Sequence, residues 1–247
     1  MENRRKGVTM KSAPRVLCLF LSVGVFAVPA YADGFIDVFG GNAILSQENV
    51  NESAFSDKSN TQQATQYLDN VKMFNSPTGG FRIGGMHKWD HFSLGGAFVL
   101  EDYSAKAGVS YPAGWAEQKY PQGGDVLQPG GDLILGIPLR FFRLYGGAGL
   151  TAPMMFYDYT SYNAQSNTIN PNTTGVSMAL GYNLFMGARW LISDHFNMFI
   201  EDRFSSLFTP MVIKNSFYDA ANGFYNASFT LDNLDANRIV VGLGYSW

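Results

Sequence analysis

Cysteine is nearly missing from this chain: Cys18 is the only one in 247 residues. No disulfide framework can be built from it, and beyond that position both thiolate chemistry and cysteine-based metal sites are excluded. Histidine is scarce too, with only His87, His91 and His195. Their spacing fits no metal-ligand pattern, and no Asp-rich or Asn-rich stretch has the spaced ligands of a calcium loop. No metal and no cofactor is therefore expected. After Val28 no apolar run approaches the ~20 residues of a membrane-crossing helix, so any crossing must be made by strands. Positive charge is sparse as well. Of 17 Lys plus Arg and 20 Asp plus Glu, five and one precede Asp33, which leaves 12 against 19 and a net charge of −7 from Asp33 onward. Such an acidic chain, with no Lys or Arg cluster, is not built to hold nucleic acid.

What is present begins with an export signal. Arg4, Arg5, Lys6, Lys11 and Arg15 form a basic region, Val16 to Val28 is apolar, and Ala30-Tyr31-Ala32 is a small-x-small cleavage site. Residues 1–32 are read as a cleaved signal peptide and 33–247 as one domain. The stretch from Lys11 already carries the whole signal, so Met10 is an alternative start. Leu17 before Cys18 is too large for a lipidation site.

From Asp33 onward apolar and other residues alternate with period two, the signature of strands with two different faces. Eight strands are predicted: Gly34 to Ala43, Thr78 to Trp89, Phe92 to Asp102, Gly130 to Leu139, Leu144 to about Tyr157, Gly175 to Trp190, Phe196 to Leu207 and Arg238 to Trp247. Three connections are tight, near Asp90, Phe141 and Asp194. Four are long and polar, at 44–77, 103–129, 158–174 and 208–235, and read as exposed loops. The best alternation runs through Val176, Met178, Leu180, Tyr182, Leu184 and Met186 on one face, with Ser177, Ala179, Gly181, Asn183 and Phe185 on the other. An even strand count with short turns on one side and long connections on the other describes an all-β, eight-stranded, antiparallel up-and-down barrel. A ten-stranded barrel is the alternative, because Ala227 to Leu231 could add a strand or extend the wall. Trp89, Phe92, Phe142, Trp190, Phe196 and Trp247 make one aromatic girdle, and Tyr103, Tyr157, Tyr159 and Phe208 are candidates for the other.

The same parity turns four acids, Asp37, Glu101, Asp132 and Glu201, and four bases, Arg82, Arg189, Arg203 and Arg238, into the barrel. An eight-stranded barrel is only wide enough to be filled by side chains, and buried charges must pair, so these eight are expected to form a salt-bridged plug. Parity also turns Asp202 toward lipid, at a cost unless it lies near the interface or a bulge turns it inward.

Three stretches carry a family resemblance: Gly187-Ala188-Arg189-Trp190 before a tight turn, Glu201-Asp202-Arg203-Phe204, and the closing strand Arg238 to Trp247, which ends on an aromatic residue. On these the chain resembles the OmpA-type eight-stranded outer-membrane β-barrel family, which includes small adhesin and serum-resistance barrels. It departs at Asp202, where the family usually has an aromatic, and at Trp247, where Phe is usual. The resemblance implies a bacterial outer-membrane location, lipid and lipopolysaccharide as surroundings, and no peptidoglycan-binding domain after the barrel. It also implies that Val241, Leu243, Tyr245 and Trp247 are read by the barrel-assembly machinery. The expected role is structural or surface-interacting, in adhesion or envelope integrity, with a possible extracellular ligand for the long loops. Their mix of aromatic and small polar residues, as in Tyr111 to Trp115 and Ser216 to Tyr225, suits recognition. The alternatives are a small-solute channel and a lipid A-modifying enzyme. No enzyme is expected and no catalytic residue is assigned, since all three histidines sit beside predicted turns.

Overall fold

The computed structural model describes residues 33–46, 48–56, 61–73, 75–108, 121–159, 162–163, 168–169, 173–219 and 223–247, with side chains for 33–46, 75–105, 124–157, 175–213 and 230–247. The signal peptide, its cleavage site and Cys18 lie outside these residues. Regular structure among them is entirely strand. In chain order the strands are β1 (Asp33–Leu45), β2 (Glu48–Ser56), β3 (Thr61–Met73), β4 (Ser76–Lys88), β5 (Ser93–Gly108) and β6 (Pro121–Pro138). Then follow β7 (Phe142–Thr151), β8 (Met154–Tyr159), β9 (Tyr162–Asn163), β10 (Thr168–Ile169), β11 (Thr173–Met178) and β12 (Gly181–Leu191). The last four are β13 (Phe196–Leu207), β14 (Met211–Asp219), β15 (Gly223–Leu231) and β16 (Ala236–Ser246).

Eight of these close a ring in the order β1, β4, β5, β6, β7, β12, β13, β16, every neighbour antiparallel, with β16 returning to β1. Following partners around the wall from His87 leads through Leu94, Leu135, Gly146, Met186, Asp202, Ile239 and Asn42 to Pro77. The path returns ten residues away on the same strand, a stagger that tilts eight strands by about 40°. At that tilt the 11 residues of β12 and of β16 cover the ~25 Å apolar band of an outer-membrane barrel.

Alternation sets the two faces. Val38, Leu133, Leu184, Met186, Val241 and Leu243 point outward and are exposed, while their chain neighbours Asp37, Asp132, Phe185 and Val240 are buried inside. At the tight turns, Trp89 N donates to Phe92 O (2.8 Å), Leu139 N to Phe142 O (2.8 Å) and Ile192 N to Phe196 O (2.9 Å). The outward aromatics gather there: Trp89 stacks on Phe92 with centroids 4.5 Å apart, and Phe196 packs on Tyr245 at 5.1 Å. Trp247 N donates to Gly34 O (3.0 Å), which fastens the closing strand to the first.

Four expectations need correction. The long polar segments are not simple loops. β2, β3, β14 and β15 form a ladder in the order β14-β15-β2-β3, joined through β3 to β5, while β8 joins β6 and β11 joins β8. The wall thus continues upward as a second tier of the same eight-stranded ring. The ten-stranded alternative falls, because Gly223–Leu231 pairs with β14 and β2 above the ring. The strands predicted over 144–157 and 175–190 each break, around Ala152-Pro153 and Ala179-Leu180, where Ala179 N donates to Pro153 O (3.1 Å). Segments of this tier such as Thr61–Met73 do not alternate apolar with polar residues, so the period-two signal of a strand is missing there from the sequence. In this tier the described residues carry no ladder between β11 and β14; Ser177 Oγ, donating to Val212 O (2.7 Å), bridges them. Lastly, Tyr103 and Tyr157 are not girdle residues but point inward, sharing parity with Glu101 and Met155. Phe208 is outward and 62% exposed, and the Tyr159 side chain lies outside the described residues.

Candidate functional site

The interior of the lower barrel is the most chemically distinctive part of the molecule. β1, β4, β12, β13 and β6 turn Asp37, Arg82, Arg189, Glu201, Arg203 and Asp132 to the axis, all buried. They join into one chain of alternating charge. Arg189 Nη2 donates to Asp37 Oδ2 (2.6 Å), and Arg82 Nε donates to the same oxygen (3.1 Å). Arg82 Nη1 reaches Glu201 Oε2 (2.9 Å). Arg203 Nε donates to Glu201 Oε1 (2.9 Å) and its Nη2 to Asp132 Oδ2 (3.1 Å). Asn183 Nδ2 completes the end, donating to Asp132 Oδ1 (2.9 Å).

The remaining two predicted residues form a separate pair higher up. Arg238 Nη1 lies 3.1 Å from Glu101 Oε2, and Thr78 Oγ1 donates to Glu101 Oε1 (3.1 Å). The Arg238–Glu101 contact is ionic only: no nitrogen of this guanidinium makes a hydrogen bond among the described residues. All eight residues expected inside are thus brought together, six in one network and two in a neighbouring pair.

Aromatic faces fill the space between the charges. Arg82 lies over the rings of Tyr145, Phe185 and Phe199 at 5.5 to 5.7 Å, Arg203 over Phe185 at 4.9 Å, and Arg238 over Tyr103 at 5.3 Å. Each of these guanidiniums therefore has a carboxylate within ion-pair reach and at least one aromatic ring close by. Sequence reasoning put Phe185 on the inner face but missed Tyr145 and Phe199, Thr78, and Arg143, which is half-buried at the turn-side mouth with Nη1 3.6 Å from Met86 Sδ. Parity held the signal for the ring positions, as Tyr145, Phe185 and Phe199 alternate with outward residues. The void left between Arg82, Arg143, Tyr145 and Arg189 is about 10 Å³, room for one water at most. Glycine makes such density possible. A Cβ on Gly149 would overlap Asp132 Oδ1 and Asn183 Oδ1.

Above this network the interior turns apolar. Met155, Met211, Ile213, Leu231, Leu234 and Ala236 pack with Tyr103 and Tyr157 in one buried cluster. Outside, Val241, Leu243, Tyr245 and Trp247 lie along the outer face of β16, all exposed. Asp202 is exposed too, opposite Met186 and Ile239 in unbroken register. His87 meets the Trp89 ring edge-on at 4.3 Å, His195 Nδ1 is 2.9 Å from Ser246 O, and His91 is exposed, so each stays at a tight turn. Among the described residues no group of His, Cys, Asp and Glu is placed to hold a metal. Tyr111 to Trp115 lies outside the described residues. The β14–β15 hairpin sets Phe217 opposite Tyr225 and Tyr218 opposite Phe224.

No protein-family sequence model matches the chain, and no curated protein matches it. Solved structures do. The outer membrane protein OprG from Pseudomonas aeruginosa superposes with a TM-score of 0.51 at 14% identity, over 89% of this chain and 99% of that one. Neisserial surface protein A gives 0.46 at 8% identity, over 87% and 97%. The attachment invasion locus protein Ail of Yersinia pestis gives 0.36 at 12%, over 87% and 99%. The likeness to OprG is one of fold: an eight-stranded antiparallel barrel.

Proposed function

We propose that this chain is an integral barrel of the bacterial outer membrane with a structural or surface-interacting role, closed to solutes by its own interior. The observation that carries the reading is the six-residue ion-pair chain from Arg189 to Asp132, which crosses the lumen and leaves a void of about 10 Å³ beside it. A paired, aromatic-packed lumen has no continuous water path, and its charges sit where solute would have to pass. The outward apolar band and turn-side girdle support membrane insertion. OmpA-type features at Arg189-Trp190, Glu201 to Phe204 and β16 support that family. Val241, Leu243, Tyr245 and Trp247 are the proposed contact for the assembly machinery.

The surface role rests on the upper tier, whose β14–β15 hairpin brings four aromatic positions opposite one another near its tip. No catalytic role is assigned: His87 packs against Trp89, His195 lies beside the Ser246 carbonyl, and His91 is exposed at a turn. Three measurements test the reading. Refolded protein in planar bilayers should conduct ions poorly, and large, steady conductance would overturn the closed barrel. Deleting residues 214–228 should reduce adherence of expressing cells while leaving the heat-modifiable gel mobility of the barrel intact. Lipid A from a deletion strain should be unchanged by mass spectrometry. An acyl-chain difference that reverts on complementation would establish the enzyme alternative.

A further inference from the structure

The lipid-facing wall is not uniform. On β6, β7 and β12, Ala148 lies directly between Leu133 and Leu184, and one step toward the turns Gly146 lies between Leu135 and Met186. Gly146 and Ala148 thus form a short floor on β7, bounded along the strand by Leu144 and Leu150, and large apolar residues form a ridge on either side. Strands are spaced about 4.8 Å apart, so the ridges stand about 10 Å apart. Beside the upper end, Gly131 opens the β6 side further, since a Cβ there would meet nothing within 4 Å. The resulting groove is about 520 Å³, walled by Leu133, Leu150, Leu184, Tyr182 and Phe208.

We propose that this groove binds one acyl chain of an outer-leaflet lipid. Its lining is overwhelmingly apolar, with only the Tyr182 hydroxyl and a small polar contribution from Gly149 and Asn183, so it offers little to fix a polar partner. Its width suits a single unbranched chain lying along a strand. Its upper end carries the Tyr182–Phe208 ring pair, with centroids 5.1 Å apart. Tyr182 is eight residues above Trp190 on β12. At ~3.3 Å per residue and the ~40° tilt this is about 20 Å up the wall, where the outer aromatic belt of a barrel lies. The groove therefore runs inward from the outer interface, as the chain of an outer-leaflet lipid does. A second copy of the barrel is disfavoured, because its wall is convex and the groove is one chain wide. The assignment rests on the proposed membrane location.

The test uses the full mature chain in vesicles of phosphatidylethanolamine and phosphatidylglycerol, doped with phosphatidylcholine bearing a diazirine midway along one acyl chain. After irradiation, adducts should concentrate on Leu133, Leu150 and Leu184 at least fivefold over Val38, Ile200 and Val241 elsewhere on the wall. Gly131→Leu and Ala148→Phe should reduce them to that background, while Val241→Phe should leave them unchanged. Insertion with even labelling, or labelling indifferent to both groove variants, overturns the inference alone. So does a protein dimer captured through the groove by a separate bifunctional crosslinker. Heat-modifiable mobility of every variant reports insertion independently. If the unmutated protein fails to insert, the membrane reading falls and this inference falls with it.

Discussion

The lower and upper halves of the barrel interior solve one packing problem with opposite chemistry. Below, four arginines and four carboxylates are buried among aromatic rings; above, methionine, leucine and isoleucine fill the same ring of strands. A charged interior is specific and brittle, because each group depends on a partner to offset its desolvation. An apolar interior needs only to be filled, and its cost of damage is set by the volume removed. The wall repeats the contrast, with an apolar outer face interrupted by the carboxylate of Asp202.

The sharpest way to break the lower half is Glu201→Ala. It leaves Arg82 and Arg203 facing each other without the carboxylate between them, and should lower stability by about 3 to 5 kcal/mol in urea titrations of the vesicle-inserted barrel. A double Glu201→Leu, Arg203→Met substitution should cost less than the two single substitutions added together, with a coupling of roughly 0.5 to 3 kcal/mol. Strict additivity would show that the network is not a unit. In the upper half Leu231→Ala should cost roughly 2 to 5 kcal/mol through cavity formation, with no such coupling to Arg203. Gly149→Ala should cost about 1 to 3 kcal/mol, because its Cβ would overlap Asp132, Asn183 and the Gly131 carbonyl oxygen, and an Asn183→Ala background should relieve only the side-chain part of the loss. The smallest effect is expected outside. Asp202→Leu removes a carboxylate from the lipid-facing wall and should raise stability by about 1 kcal/mol, since acids there cost less than the 2 to 4 of a basic residue. A loss of stability at Asp202 would mean that its carboxylate has a partner in the membrane.

The lower barrel was legible because an apolar outer face and a crowded lumen impose period two on every strand. That parity alone turned Asp37, Arg82 and Glu201 inward, and it held at Asp202, where a carboxylate argued against it. The upper tier was not legible. Residues such as Thr61 to Met73 pair with β2 as a strand although their sequence carries no apolar alternation, and backbone pairing by itself leaves no mark in the order of side chains. Tyr103 and Tyr157 were assigned to the girdle by residue type, although their parity already pointed inward.

By itself the sequence determined which residues face in, which face out, and that the inward charges are matched in number. Its chain order could not say which arginine meets which carboxylate. Partners such as Arg189 and Asp37 lie 152 residues apart, and they meet only because a ten-residue stagger around a closed ring brings their strands to one height. The same stagger set Ala148 between Leu133 and Leu184 and so made the groove. Pairing and concavity depend on register between strands, and register is decided only when the ring closes.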